Sequence, residues 1–200
     1  LLTAAYLSGD NPYCGGIKGH RGSRSVLHID TEQGKWHCHR TFQSVYDVAN
    51  IDDKEKYHTF GLRSIGWKNR IPFIEHCLDK IKDVGLLCID GVSDLLLDPN
   101  NPEQSNEVAE KLMQLSENYN CHILTVIHSN HGSEKARGHL GTSLINKIET
   151  EIRLEKNPIN TDWTTVHCKV SRGYPFETFS FKVNNNGYPE VITDIYDPLK

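Results

Sequence analysis

The chain has 200 residues, of which 37% are hydrophobic and 24% charged, and it carries a formal charge of −4 at neutral pH. That length buries a sizeable single-domain core without disulfide or metal staples, and the acidic balance excludes nucleic-acid affinity through bulk charge, leaving only local basic surfaces for such a role. No apolar run approaches the roughly 20 residues needed to span a bilayer.

Cysteines 14, 38, 77, 88, 121 and 168 are scattered, and Cys88 and Cys121 fall inside apolar runs. This spread reads as reduced, buried thiols in a cytoplasmic protein rather than a disulfide frame. The first nine residues look like the last turns of a helix closed by a glycine C-cap at Gly9. With no initiator methionine ahead of them, the expectation is a piece of a longer protein.

Residues 10–24 form a glycine-rich connection with Lys18, His20, Arg21 and Arg24. The stretch Gly15–Gly19 does not fit G-x-x-x-x-G-K-[ST] and follows no strand, so it reads as a surface loop and not as a phosphate loop. Ser25–Asp30 is a short apolar run rising into Asp30 and Glu32. Lys35–Ala49 then has helical periodicity, with Cys38, Phe42, Val45 and Ala49 on one face. His37, Cys38 and His39 are adjacent along that helix, so they do not converge on one ion.

Tyr57–Arg63 alternates enough for a short strand, and Pro72 is placed to begin a helix facing inward through Phe73, Ile74, Cys77, Leu78 and Ile81. Gly85–Asp90 is the most telling run: four apolar residues, one carboxylate, then Gly91. A run of this kind, bounded by a turn, reads as a parallel strand buried on both faces. Asp90 either works at the strand end or caps the turn that follows.

Residues 91–101 read as a loop, Glu103–Asn118 as a helix with Val108, Leu112 and Leu115 inward, and Cys121–His128 as a third apolar strand. Residues 129–143 then form a polar, glycine-bearing loop with Lys135 and Arg137: either a solvated connection or a segment that senses ligand and contacts a partner. Beyond it the period changes. Glu149–Glu155, Trp163–Val170, Glu177–Val183 and Pro189–Thr193 read as antiparallel strands flanking the parallel core, with Lys169 and Arg172 at a hairpin tip.

Strands separated by helical stretches imply right-handed crossovers and one parallel sheet. Their carboxyl ends then share an edge, the edge at which open α/β sheets bind ligands. Asp30, Glu32, Asp90 and His128 would converge there. The expected fold class is α/β, a mostly parallel sheet flanked by helices with antiparallel strands at the C-terminal end, in one domain over 1–200.

In order and motif the chain resembles the RecA-like branch of P-loop ATPases, in particular the RepA/DnaB-type helicase cores of plasmids and mobile elements. Val26–Glu32 resembles the strand bearing the catalytic glutamate, Leu86–Asp90 the Walker B strand, and Leu124–His128 the strand carrying the γ-phosphate sensor. The resemblance implies ATP hydrolysis, with Glu32 polarising the attacking water, Asp90 holding Mg²⁺ through its water shell, and His128 sensing the γ-phosphate.

Lys135 and Arg137 sit where these proteins place a DNA-facing or sensor loop, implying single-stranded DNA as a partner. Lys169 and Arg172 resemble the pair that acts on a neighbour's nucleotide in a homo-oligomeric ring, and Arg137 is the other candidate for that task. The chain departs from the pattern in having no Walker A motif. That loop should therefore lie upstream of residue 1, and ATP with Mg²⁺ should bind tightly only to the full-length parent. Two alternatives accompany this reading: a catalytically inactive RecA-like assembly or DNA-binding module, and a metal-dependent nuclease or phosphatase ligating its ion directly through Asp30, Glu32, Asp90 and His128.

Overall fold

The computed structural model describes residues 1–9, 17–51, 53–129 and 136–192. Four parallel strands form the central sheet: β1 (Ser25–Asp30), β2 (Tyr57–Gly61), β3 (Val84–Asp90) and β4 (His122–Val126), in spatial order β2-β1-β3-β4. The two inner strands are the most apolar. β1 is buried throughout, and β3 is buried up to Asp90. Hydrophobic burial therefore sets the strand order, because only runs apolar on both faces can occupy the middle.

Helices cover both faces. α1 (Leu2–Ser8) and α2 (Lys35–Ala49) build a smaller core with Val26 and Leu86. On the other face α3 (Trp67–Lys80), α4 (Pro102–Asn118) and α5 (Gly138–Ile145) pack around Leu27, Ile29, Leu87 and Ile89. α1 ends at Gly9 with φ 68°, as its sequence requires. α4 opens with Asn101, whose side-chain oxygen accepts from the Gln104 N–H at 3.0 Å.

Three elements differ from the sequence reading. The third helix begins at Trp67, not Pro72, so Pro72 lies inside it. One missing backbone donor is tolerated there because Ile71, Phe73 and Ile74 anchor the helix on the core, and Arg70 fastens it by donating to the carbonyls of Ile65 and Asp94.

The span 129–143 is not wholly loop, since α5 occupies Gly138–Ile145. Its glycines look like helix breakers but answer to close packing. A Cβ on Gly141 would meet the Cβ of Ala136 at 2.5 Å, and one on Gly138 would meet the Pro99 carbonyl oxygen at 2.6 Å.

The last four strands, β5 (Thr150–Lys156), β6 (Trp163–Ser171), β7 (Phe179–Val183) and β8 (Pro189–Ile192), form their own antiparallel sheet in order β5-β6-β7-β8 and do not extend the parallel one. One face of this sheet carries charge, with Arg153 bridging Glu151 and Glu155 and His167 beside Glu155. Such strands suit a half-solvated sheet and would be costly in a core buried on both sides. No helix among the described residues is long and apolar enough to cross a membrane.

Candidate functional site

The parallel register fixes where the acidic residues go. Asp30 pairs in register with Asp90 and with Gly61, and Asp90 pairs with Val126. All four strands thus end at one level, and the residues just beyond them share one edge.

Asp30 is 1% exposed and holds the turn after β1. Its Oδ1 accepts from the backbone N–H of Glu32 at 3.0 Å and of Gln33 at 2.8 Å. The capping role considered for Asp90 therefore belongs to Asp30. Its other oxygen, Oδ2, is buried without a hydrogen bond of good geometry. The Cys38 thiol lies close to this carboxylate, and burial first, then the Asp30 charge, pushes that thiol up to about 11.

Thr31 ties the two central strands together. Its N–H donates to the Asp90 carbonyl, and its hydroxyl donates to the carbonyls of Asp90 and Gly91 at 3.1 and 2.8 Å. Glu32 then projects across Gly91, where φ is +93° and an added Cβ would meet Thr31 Oγ1 and stand 2.5 Å from Glu32 Cγ. Gly91 is the determinant that the sequence reading registered only as a turn. A glycine directly after a strand-terminal aspartate was the available signal.

Glu32 Oε2 lies 3.3 Å from His128 Nε2. Asp90 is half-buried next to them. Burial raises its carboxyl above the usual carboxylate range, Asp30 and Glu32 raise it further, and His128 offsets part of the effect. Glu32, Asp90 and His128 are therefore gathered in one place, with Asp30 behind them as their support.

Arg137 joins this edge through its backbone, its N–H donating to the His128 carbonyl at 3.0 Å, while Ala136 bridges to Ser129. Lys135 lies outside the described residues. Arg172 is elsewhere, just past β6, with its guanidinium donating to the Asn146 carbonyl at 3.4 Å. Lys169 stands inside β6 and not at a hairpin tip, because that strand runs on to Ser171.

The donor set suits a cation held through water. Three carboxylates crowd one edge, the carboxyl of Asp90 is raised by burial first and then by Asp30 and Glu32, and a divalent ion would offset the repulsion among them. Among the described residues no three His, Cys, Asp or Glu side chains are arranged to hold a metal directly, so the geometry lends no support to the directly ligated nuclease reading.

A parallel α/β sheet with acidic residues at aligned carboxyl ends, beside a small antiparallel sheet, defines a RecA-like domain. A family model described as an AAA domain matches residues 2–134, more than half of the chain. The chain belongs to that family of P-loop ATPase domains, and the match runs from α1 through β4. No curated protein matches the chain.

Proposed function

We propose that this chain is the hydrolytic core of an ATP-driven nucleic-acid motor or loader of the helicase type, cytoplasmic and carried on a mobile genetic element. The observation that carries the reading is the Glu32–His128 contact of 3.3 Å, seated over Gly91 and beside the half-buried Asp90. A carboxylate paired with a sensor-like imidazole next to a cation-seeking aspartate suits phosphoryl transfer to water.

Mg²⁺, when bound, neutralises phosphate charge. Asp90 would hold the ion through its water shell. Glu32 would orient a water and accept its proton, with the turn pinned by Asp30 fixing the direction of attack. His128, touching Glu32 on one side and fastened by its carbonyl to Arg137 on the other, would pass the state of the site to the segment carrying Lys135 and Arg137. That segment is the candidate contact with single-stranded DNA.

The phosphate cradle is assigned to a Gly-rich loop outside these 200 residues, since none of them spells G-x-x-x-x-G-K-[ST]. Arg172, with Lys169 nearby in the chain, is assigned to the nucleotide of a neighbouring subunit in a homo-oligomeric ring. This fits its position away from the acidic edge of its own chain.

The test is steady-state hydrolysis by the full-length protein with and without single-stranded DNA. Turnover that rises on adding DNA supports the reading. Turnover that ignores DNA removes the motor role and leaves a plain ATPase.

A further inference from the structure

Beside the acidic edge lies a surface of opposite charge that the proposed chemistry does not use. α2 begins at Lys35 and carries no acidic residue until Asp47. Trp36, in its first turn, is 65% exposed, an unusual placement for the largest apolar side chain. The Arg40 guanidinium stands over the Trp36 ring at 5.7 Å from its centroid, and the His37 ring meets it edge-on at 4.7 Å.

A further cation arrives from β2. The Leu62 N–H donates to the Asp30 carbonyl at 2.7 Å, and Arg63 follows with its Nη1 3.4 Å from where a Cβ on Gly34 would stand. Arg63, Lys35, Trp36 and Arg40 are exposed, a strip with half-buried Gly34 among them, while at the far end Arg40 Nη2 stands 3.4 Å from where a Cβ on Gly187, in the turn between β7 and β8, would be. The side chains of Lys35, Arg40 and Arg63 make no ion pair with any described residue.

We infer that this strip is a binding platform for single-stranded nucleic acid, with a base stacked on Trp36 and the flanking phosphates held by Arg40, Arg63 and Lys35. Stacking on an exposed aromatic with cations on either side is the chemistry of sequence-tolerant single-strand binding. In a chain of net charge −4 a strip of cations with no ion pair among the described residues is a local exception, and it is complementary to a phosphodiester backbone. A Trp held under an Arg is already oriented, which lowers the ordering cost of binding. The inference rests on the nucleic-acid half of the proposed function and not on hydrolysis.

The experiment titrates the 200-residue chain with a fluorescent 20-mer of deoxythymidine, without nucleotide, across a range of salt. Inorganic polyphosphate of matching charge serves as the base-free control. Trp36→Ala should weaken oligonucleotide binding by about tenfold or more, as loss of one stacked base does. Trp36→Phe should recover much of the loss, and polyphosphate binding should not change in either variant.

The double variant Arg40→Ala, Arg63→Ala should lower the slope of log affinity against log salt by about 1.4, from two single-strand phosphate contacts at about 0.7 each. Far-UV circular dichroism and the melting temperature should stay at the wild-type values, because these side chains are exposed. Oligonucleotide binding that survives Trp36→Ala unchanged, or no micromolar binding by the wild-type chain, overturns the platform. ATPase activity is not read in this assay, so its absence elsewhere would leave the result standing.

Discussion

Asp30 holds Glu32 in place through the backbone: Oδ1 of the first accepts from the N–H of the second at 3.0 Å, and from Gln33 at 2.8 Å. The candidate base thus depends on a buried carboxylate that itself need never touch substrate. Asp30→Ala should leave two donors without their acceptor and cost about 1.5–3 kcal/mol of stability, the range for hydrogen bonds to a charged group. Asp30→Asn keeps an acceptor and should lose less. Urea denaturation of both variants checks the order, and equal losses would deny the role of Oδ1.

Gly91 is the second support. A Cβ there would collide with the turn that carries Thr31 and Glu32, and the backbone is at φ +93°. Gly91→Ala should therefore destabilise by at least about 1 kcal/mol. That corresponds to a fall in melting temperature of roughly 2–4 °C for a domain of this size. An unchanged melting temperature would mean that the turn relaxes freely.

Much of this arrangement was legible in the sequence, for a physical reason. β1 and β3 are buried on both faces, so their composition is dictated by burial alone, and each announces its end by the first carboxylate. α2 was readable to its last residue because its apolar face repeats without interruption. α5 was hidden because its two glycines look like breakers: Gly138 answers to Pro99 and Asn100, distant in sequence, and Gly141 to the backbone and Cβ of Ala136 folded back on it, and no local pattern reports such contacts. The independence of the second sheet was equally hidden, since alternation marks an antiparallel strand without saying which sheet it joins. Which aspartate caps and which stays open was undecidable as well. Asp30 and Asp90 both end apolar runs, and only the backbone path after each separates them.

Asp90 yields a prediction in which two measurements move in opposite directions. Its carboxyl is raised by burial and then by Asp30 and Glu32, so the charged form is disfavoured in the folded protein. A carboxylate with a raised folded pKa lowers stability at pH values above that pKa, and the penalty disappears as the pH falls through it. Asp90→Asn should therefore be at least as stable as wild type at pH 7 and lose that advantage in acid. The same variant should bind Mg-nucleotide several-fold more weakly in the full-length protein, because it removes charge next to the cation. Denaturation at two pH values, together with a nucleotide titration, checks both halves. A destabilised Asp90→Asn at neutral pH would show that the carboxylate has a partner.

The 200-residue chain by itself should show no micromolar binding of Mg-ATP by calorimetry, because its sequence nowhere spells the G-x-x-x-x-G-K-[ST] loop whose backbone amides and lysine would cradle the phosphates. Tight binding would return the stretch Gly15–Gly19 to consideration as a phosphate loop.

The most direct test of the central claim is Glu32→Gln in the full-length protein, with hydrolysis and fluorescent-nucleotide binding measured on the same preparation. Gln keeps the shape and one acceptor but cannot take up a proton. Turnover should fall by about 10²–10⁴, the usual contribution of a positioned base, while nucleotide affinity stays near wild type. Hydrolysis at the wild-type rate would contradict the account and remove Glu32 from the chemistry.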